Sequence, residues 1–273
     1  MAAINASKTE GTLPTGHQTM SPAMATMQAY PRYLFNRVAG CLGLRVWEIG
    51  IGHGTYTQWI RDTGADVLAT DIDHDCLLAV QNRFRGDSKV ITAFVNLTDE
   101  TTVRQHATFQ ADSLVCLNVL EHIEDDIAAL RWIRKAVAPA AAMGIVVPAH
   151  PRLFGRMDAE AGHFRRYTRR SLQHAFEQAG WTVERTQYLN VPGAVGWWYH
   201  NRWRKDAGLA DKAVNRQMAL ADRWLPRLAS ITDPFFGRIA GLSVMAIART
   251  PGSPLQEYIP APTQESSHRC SSL

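Results

Sequence analysis

At 273 residues, with 46% hydrophobic content, the chain can bury one sizeable core. Its charges nearly balance, 29 Lys and Arg against 25 Asp and Glu for a net +4, which argues against nucleic acid as a partner. No stretch approaches the roughly 18 uncharged apolar residues of a membrane span, and no basic-then-apolar leader opens the chain. Cys41, Cys76, Cys116 and Cys270 have no paired spacing and read as core thiols, so a soluble cytoplasmic protein is expected.

Residues 1–22 are rich in small and polar residues without a period, and disorder is predicted there. From Pro22 to Cys41, Met24, Met27, Tyr30, Tyr33, Leu34, Arg37 and Val38 recur at helical spacing, with Pro31 marking a break between two helices. Val46-Trp47-Glu48-Ile49 then reads as a buried strand turning through Gly50, Gly52 and Gly54 into a helix that begins near Thr55 and stops at Gly64. Such a turn also suits a dinucleotide. Glu48 argues otherwise, because a carboxylate repels a pyrophosphate at the helix N-terminus. A ligand carrying an ammonium or sulfonium would gain up to roughly 4 kcal/mol before desolvation, for a contact near 4 Å at an effective dielectric of 20.

The second strand, Asp66 to Asp73, carries Asp71 about 20 residues after the glycines, where a carboxylate can accept both hydroxyls of a ribose. Asp75 to Arg85 reads as a helix, and Val90 to Val95 as a third strand ending at Asn96 and Leu97. Ser113 to Leu117 is the fourth strand, followed at its carboxyl end by Asn118 to His122. The next helix places Ile123, Ile127, Leu130, Ile133 and Val137 on one face; Glu124, Asp125 and Asp126 at its start read as a solvated, dipole-matched turn. Met143 to Val147 is the fifth strand, Thr168 caps a helix running to Gly180, a sixth strand begins at Trp181-Thr182, and Leu242 to Ala248 closes the sheet. The connection before that last strand, about 50 residues, is long. Within it Trp197, Trp198, Tyr199 and Trp203, then Val214, Met218, Ala221, Trp224 and Leu228, form apolar stripes on two helices. This insert, about 190–240, could cap the site, form a homodimer face or touch a membrane surface. The organisation expected is one domain over 23–250 with a disordered tail at 251–273.

The pieces EIGIGHG, ATDID and LVCLNVLEHIEDD resemble the class I S-adenosyl-L-methionine (SAM) dependent methyltransferases over about Tyr30 to Gly180. The resemblance implies an α/β fold, a doubly wound seven-stranded Rossmann-like sheet with an N-terminal helical lid and a helical insert before the last strand. It implies S-adenosyl-L-methionine as cofactor, held by Tyr30, Glu48, Gly50, Gly52, His53, Gly54, Asp71, Ile72, Asn96, Leu97, Asn118 and Val119. Tyr30 and Tyr33 are the lid aromatics, or else core packing. Asn96 stands where the family commonly has an aspartate accepting from adenine, and Ala138-Pro139-Ala140-Ala141-Ala142 stands where relatives carry Pro-Gly-Gly. Gly162-His163-Phe164-Arg165-Arg166-Tyr167 resembles a run in a bacterial branch associated with surface-sugar or secondary-metabolite assembly.

A sulfonium methyl is already activated, so a general base is needed only where the acceptor must lose a proton. His122, His163 and Tyr30 are the catalytic candidates; each histidine could instead serve a local structural role, and His53 could point to solvent. His150, Asp158 and His163 lack the spacing of a metal-ligand set, so no metal is expected. Arg165, Arg166, Arg169 and Arg170 either bind an acidic substrate or start a solvated helix, and Tyr167 is a candidate pocket wall. The function expected is in-line methyl transfer to a small molecule or biosynthetic intermediate. The alternatives are a SAM cyclase or lyase releasing methylthioadenosine, for example by azetidine-2-carboxylate formation, and a silent scaffold.

Overall fold

The computed structural model describes residues 23, 26–203 and 211–252; the expectations for 1–22, Met24, Cys270 and the tail from 253 onward lie outside the described residues, as does the side chain of Trp203. Its elements run α1 Ala29–Val38, β1 Arg45–Ile49, α2 Thr55–Arg61, β2 Asp66–Asp71, α3 His74–Arg83, β3 Val90–Phe94, α4 Glu100–Arg104 and β4 Ser113–Leu117. They continue with α5 Asp126–Lys135, β5 Ala142–Pro148, α6 Arg156–Glu160, α7 Arg169–Gln178, β6 Thr182–Leu189, α8 Val191–Trp203, α9 Lys212–Ala221, α10 Leu225–Phe236 and β7 Ser243–Arg249. The seven strands form one sheet in the order β3-β2-β1-β4-β5-β7-β6, with β7 antiparallel to both neighbours and the remaining pairs parallel. The expected α/β doubly wound sheet is present. The order reverses between β1 and β4, and the carboxyl ends of those two strands form the crevice where such sheets take their ligands.

Strand periodicity sorts the core into two layers. Trp47, Ile49, Leu68, Leu114, Cys116, Met143 and Ile145 pack on one face against Leu130 and Ile133 of α5 and Leu172 and Phe176 of α7. Val46, Val67, Ala69, Val115 and Val146 pack on the other against Leu34, Phe35 and Val38 of α1, Ile60 of α2 and Cys76 and Val80 of α3. Glu48 has the parity of Val46, so its carboxylate falls on the α1–α3 layer, beneath the glycine turn. Helix starts follow their caps: the Asp73 side chain accepts from Asp75 and Cys76 N–H, Asp125 from Ala128 N–H, and Thr168 shares a capping box with Ser171.

Four local expectations are corrected. Pro31 does not separate two helices: it is the third residue of α1, where its missing N–H has no intrahelical partner to lose. The second insert stripe is two helices, not one, because the chain breaks at Asp222–Trp224 between α9 and α10. Asp126 is buried rather than solvated; it accepts from the Tyr167 hydroxyl at 2.7 Å and pairs with Arg165 at 2.9 Å. Tyr167 is accordingly a core residue and not a pocket wall.

The N-terminal helix is tied to the insert. The Asp222 carboxylate of the α9 C-cap accepts from the backbone N–H of Gln28, Ala29 and Tyr30, and the Tyr33 hydroxyl bonds to the buried Asp233 of α10. Asp233 also accepts from Asn190 and Val191 N–H at 2.9 and 3.1 Å. No helix among the described residues is long and apolar enough to cross a membrane.

Candidate active site

The glycine turn is built by close approach. Gly50, Gly52 and Gly54 have φ of 78°, 48° and 71°. A Cβ on Gly50 would stand 2.3 Å from Val119 Cγ2 and one on Gly54 2.7 Å from Val80 Cγ2, so both sites exclude side chains on steric as well as conformational grounds. The turn is pinned to the second strand, with Gly50 N–H donating to Thr70 C=O at 2.8 Å and Gly52 N–H to Asp71 Oδ2 at 3.1 Å.

Glu48 is 1% exposed, and neither carboxylate oxygen completes a hydrogen bond, although Thr57 of α2 is adjacent. Burial, with Asp71 as a like-charge neighbour, raises its pKa to about 8. Tyr56, in the first turn of α2, and Tyr30, in α1, complete this corner: burial raises the Tyr56 phenol, with Tyr30 and Glu48 close enough to add to it. The Tyr30 hydroxyl stands 3.4 Å from Ser243 Oγ, and its ring stacks on Tyr33 with centroids 6.1 Å apart. Tyr56 is not among the candidates the sequence suggested; its position right after the glycine turn is the signal that marks it.

Along the neighbouring strand ends, Asp71 is 8% exposed and spends one lone pair each on Gly52 and Asp73 N–H, leaving acceptor capacity on both oxygens. Desolvation raises its pKa despite those bonds. Ile72 beside it is exposed, and Leu97 is buried in the core. The Asn96 Oδ1, at the position where the family commonly has an accepting aspartate, already takes both the N–H and the hydroxyl of Thr98, at 3.0 and 2.9 Å. Its amide NH2 is what remains for a ligand. Asn118 sits just past β4 in a left-handed conformation, φ 55°, with Val119 packed against Gly50; His53 is exposed on the turn.

The other half of the crevice is polar. His122 and His163 meet edge to face with ring centroids 4.7 Å apart. Burial, then proximity to His163, lowers the His122 pKa to about 4, so its ring is neutral. His163 Nδ1 bonds to Asp158 Oδ1 at 2.9 Å, and the same oxygen accepts from Arg166 Nε at 2.7 Å. Arg166 is thus a buried ion-pair partner and not part of a solvated helix start; its guanidinium also lies 4.9 Å over the Trp197 ring of α8. His150, weighed with Asp158 and His163 from sequence, instead stacks on Tyr188 at 4.5 Å. Glu121 was missed. It is fully buried after β4 with no hydrogen-bond partner for either carboxylate oxygen, and burial raises its pKa to about 8.

A doubly wound sheet whose switch point carries three positive-φ glycines, a buried acid on the first strand and a second acid on the next defines a nucleoside-ligand enzyme of the Rossmann-like class. Within that class the chain belongs to the methyltransferase-domain family, whose model matches residues 24–186. It is similar to the ubiquinone biosynthesis O-methyltransferase of Pseudomonas aeruginosa, with 30% identity over 101 residues, 37% of this chain and 43% of that protein. The chain therefore spans less than half the length of that relative. The protein of the same name from Xanthomonas campestris pv. campestris aligns over 194 residues at 24% identity, covering 68% of this chain and 79% of the other. Among solved structures, an S-adenosylmethionine dependent methyltransferase from Mesorhizobium loti superposes with a TM-score of 0.54 at 16% identity, over 81% of this chain and 98% of that one, a likeness of fold.

Proposed function

We propose that this chain is a SAM-dependent methyltransferase that methylates a small, hydroxyl-bearing biosynthetic intermediate in the cytosol. The observation that carries the reading is Glu48: a carboxylate 1% exposed, without a hydrogen-bond partner, beside a glycine turn that no side chain can fill. An apolar strand gains nothing from such a group, whereas a cationic ligand would complete it. The residues fit SAM. Glu48, with Tyr30 and Tyr56, would hold its charged amino-acid end; the backbone of Gly50, Gly52, His53 and Gly54 would let it approach; Asp71 would accept from the ribose hydroxyls; Ile72, Leu97 and the Asn96 amide would border the base; Asn118 and Val119 would form the wall beneath.

When bound, SAM supplies an activated methyl group on a cationic sulfur. The chain's own task is then to place the acceptor and exclude water. Tyr30 is held by Ser243 and Asp222, and on the polar half of the crevice Arg166 stacks over Trp197. His122 and His163 face that crevice as proton acceptors, His163 oriented by Asp158. The O-methyltransferase relatives support an oxygen acceptor.

Isothermal calorimetry with SAM tests the reading. Stoichiometric binding that Asp71→Ala and Glu48→Gln weaken at least tenfold is expected; absence of binding by a folded wild-type chain overturns it.

A further inference from the structure

The polar half of the crevice has an unusual balance of donors and acceptors. Glu121, His122 and His163 each bring a ligand-type atom to within 4.8 Å of the others. Glu121 offers two carboxylate oxygens, fully buried, with no donor to either. His163 commits Nδ1 to Asp158, which leaves Nε2. His122, neutral and packed edge to face on His163, brings one ring nitrogen into the same cluster. A carboxylate and two imidazole nitrogens thus converge, and the one proton that a neutral Glu121 carries could bridge only one pair of them. The charges facing the cluster are Arg166 and Asp158, and Arg166 is already spent on Asp158 Oδ1 and the Ala149 carbonyl.

From this convergence we infer that Glu121, His122 and His163 form a binding site for a divalent first-row metal ion, of the zinc or ferrous type. Two imidazoles and one carboxylate are the donor set that such ions take in catalytic sites, with coordination positions left open. The outer contacts match as well. A carboxylate fixing the far nitrogen of a ligating histidine, as Asp158 does for His163, sets the tautomer and ring orientation a metal needs. The three ligands come from the turn after β4 and the loop after α6, which Phe164 N–H clamps together by donating to the Glu121 C=O at 2.8 Å. The inference deepens the methyltransferase reading and rests on it for its chemistry. An ion there would occupy the His122 and His163 lone pairs and so replace their role as proton acceptors: it would bind the acceptor's hydroxyl oxygen and lower its pKa, the proton leaving to solvent, so the acceptors expected are those whose oxygen can chelate, vicinal diols and catechol-like pairs foremost.

The test uses the full chain, stripped with EDTA and then freed of chelator, titrated with Zn2+ by calorimetry and with Co2+ by visible absorption. One equivalent of Zn2+ is expected, with Co2+ giving bands of a low-symmetry N/O site. Glu121→Gln and His163→Gln should each weaken Zn2+ by more than about 100-fold, Asp158→Asn by about 10–100-fold, and His174→Ala, an exposed histidine on α7, should leave it unchanged. In EDTA the Glu121→Gln chain should melt no lower than wild type, because it loses only an unpartnered buried carboxylate; Zn2+ should raise the wild-type melting temperature alone. Equal Zn2+ affinity in wild type and Glu121→Gln, or no binding by wild type, overturns the site. SAM calorimetry in EDTA separates the two claims: intact SAM binding without Zn2+ binding removes the metal and keeps the transferase, while Zn2+ binding without SAM binding removes the transferase.

Discussion

Replacing Glu48 by glutamine keeps the shape of the side chain and removes its charge. Burial lifts the folded-state pKa from 4.5 to about 8, so between those values the folded chain holds a proton that the unfolded chain has released. Stability contributed at this position therefore falls as pH rises through that window, by up to about 5 kcal/mol at 1.36 kcal/mol per pH unit. Glu48→Gln should match wild type near pH 5 and exceed it in urea denaturation at and above pH 8, by about 2–5 kcal/mol once structural relaxation is allowed for. SAM binding should change in the opposite direction. The attraction lost is up to about 4 kcal/mol before desolvation, which leaves at least a tenfold weakening. Near pH 7 the wild-type carboxyl is mostly protonated, so binding a cation should expel close to one proton, read by calorimetry in two buffers of different ionisation enthalpy; the glutamine variant should expel none. A variant less stable than wild type at pH 8, or one that binds SAM equally well, would refute the reasoning.

Gly50→Ala places a Cβ 2.3 Å from Val119 Cγ2 at φ 78°; the conformation alone should cost about 1–3 kcal/mol, and pairing it with Val119→Ala should recover the steric part, as chemical denaturation would show. Asp233→Ala strips acceptors from Tyr33 and from the Asn190 and Val191 N–H groups, and should lower stability by about 3–5 kcal/mol while increasing hydrogen exchange in α1 and α10. Arg166→Met leaves Asp158 buried and half-unpaired, so a loss of about 3–5 kcal/mol is expected. Burial works to raise the Asp158 carboxyl, but the His163 hydrogen bond and Arg166 hold it below its usual value, so the stability it contributes should vanish as pH falls through the folded value, and Arg166→Met should flatten that acid limb of the curve.

What the sequence made legible was local and periodic. The strand-glycine-helix turn, the acid at the next strand end and the Thr168 cap each depend on residues a few positions apart, and each appears where the pattern put it. The polar half of the crevice depends on contacts across tens of residues. Asp126 looked like a solvated helix start because Tyr167, its partner, lies 41 positions away. Glu121 went unnoticed for the same reason: the histidine it meets, His163, stands on a loop after the fifth strand. At Asn96 the deciding contact is instead local, since Thr98, two residues on, donates to its carbonyl. The turn at Asp222–Trp224 carries neither Gly nor Pro within it, so the break between α9 and α10 left little trace; Asp222 is spent instead on the backbone of α1.

Mass spectrometry of the purified chain incubated with SAM, alone and with a small-molecule extract, tests the central claim most directly. The account predicts that SAM survives alone and that S-adenosylhomocysteine appears only with the extract, together with a product heavier by one methylene. Methylthioadenosine accumulating without any acceptor would contradict it, and would put an intramolecular reaction of SAM in place of methyl transfer.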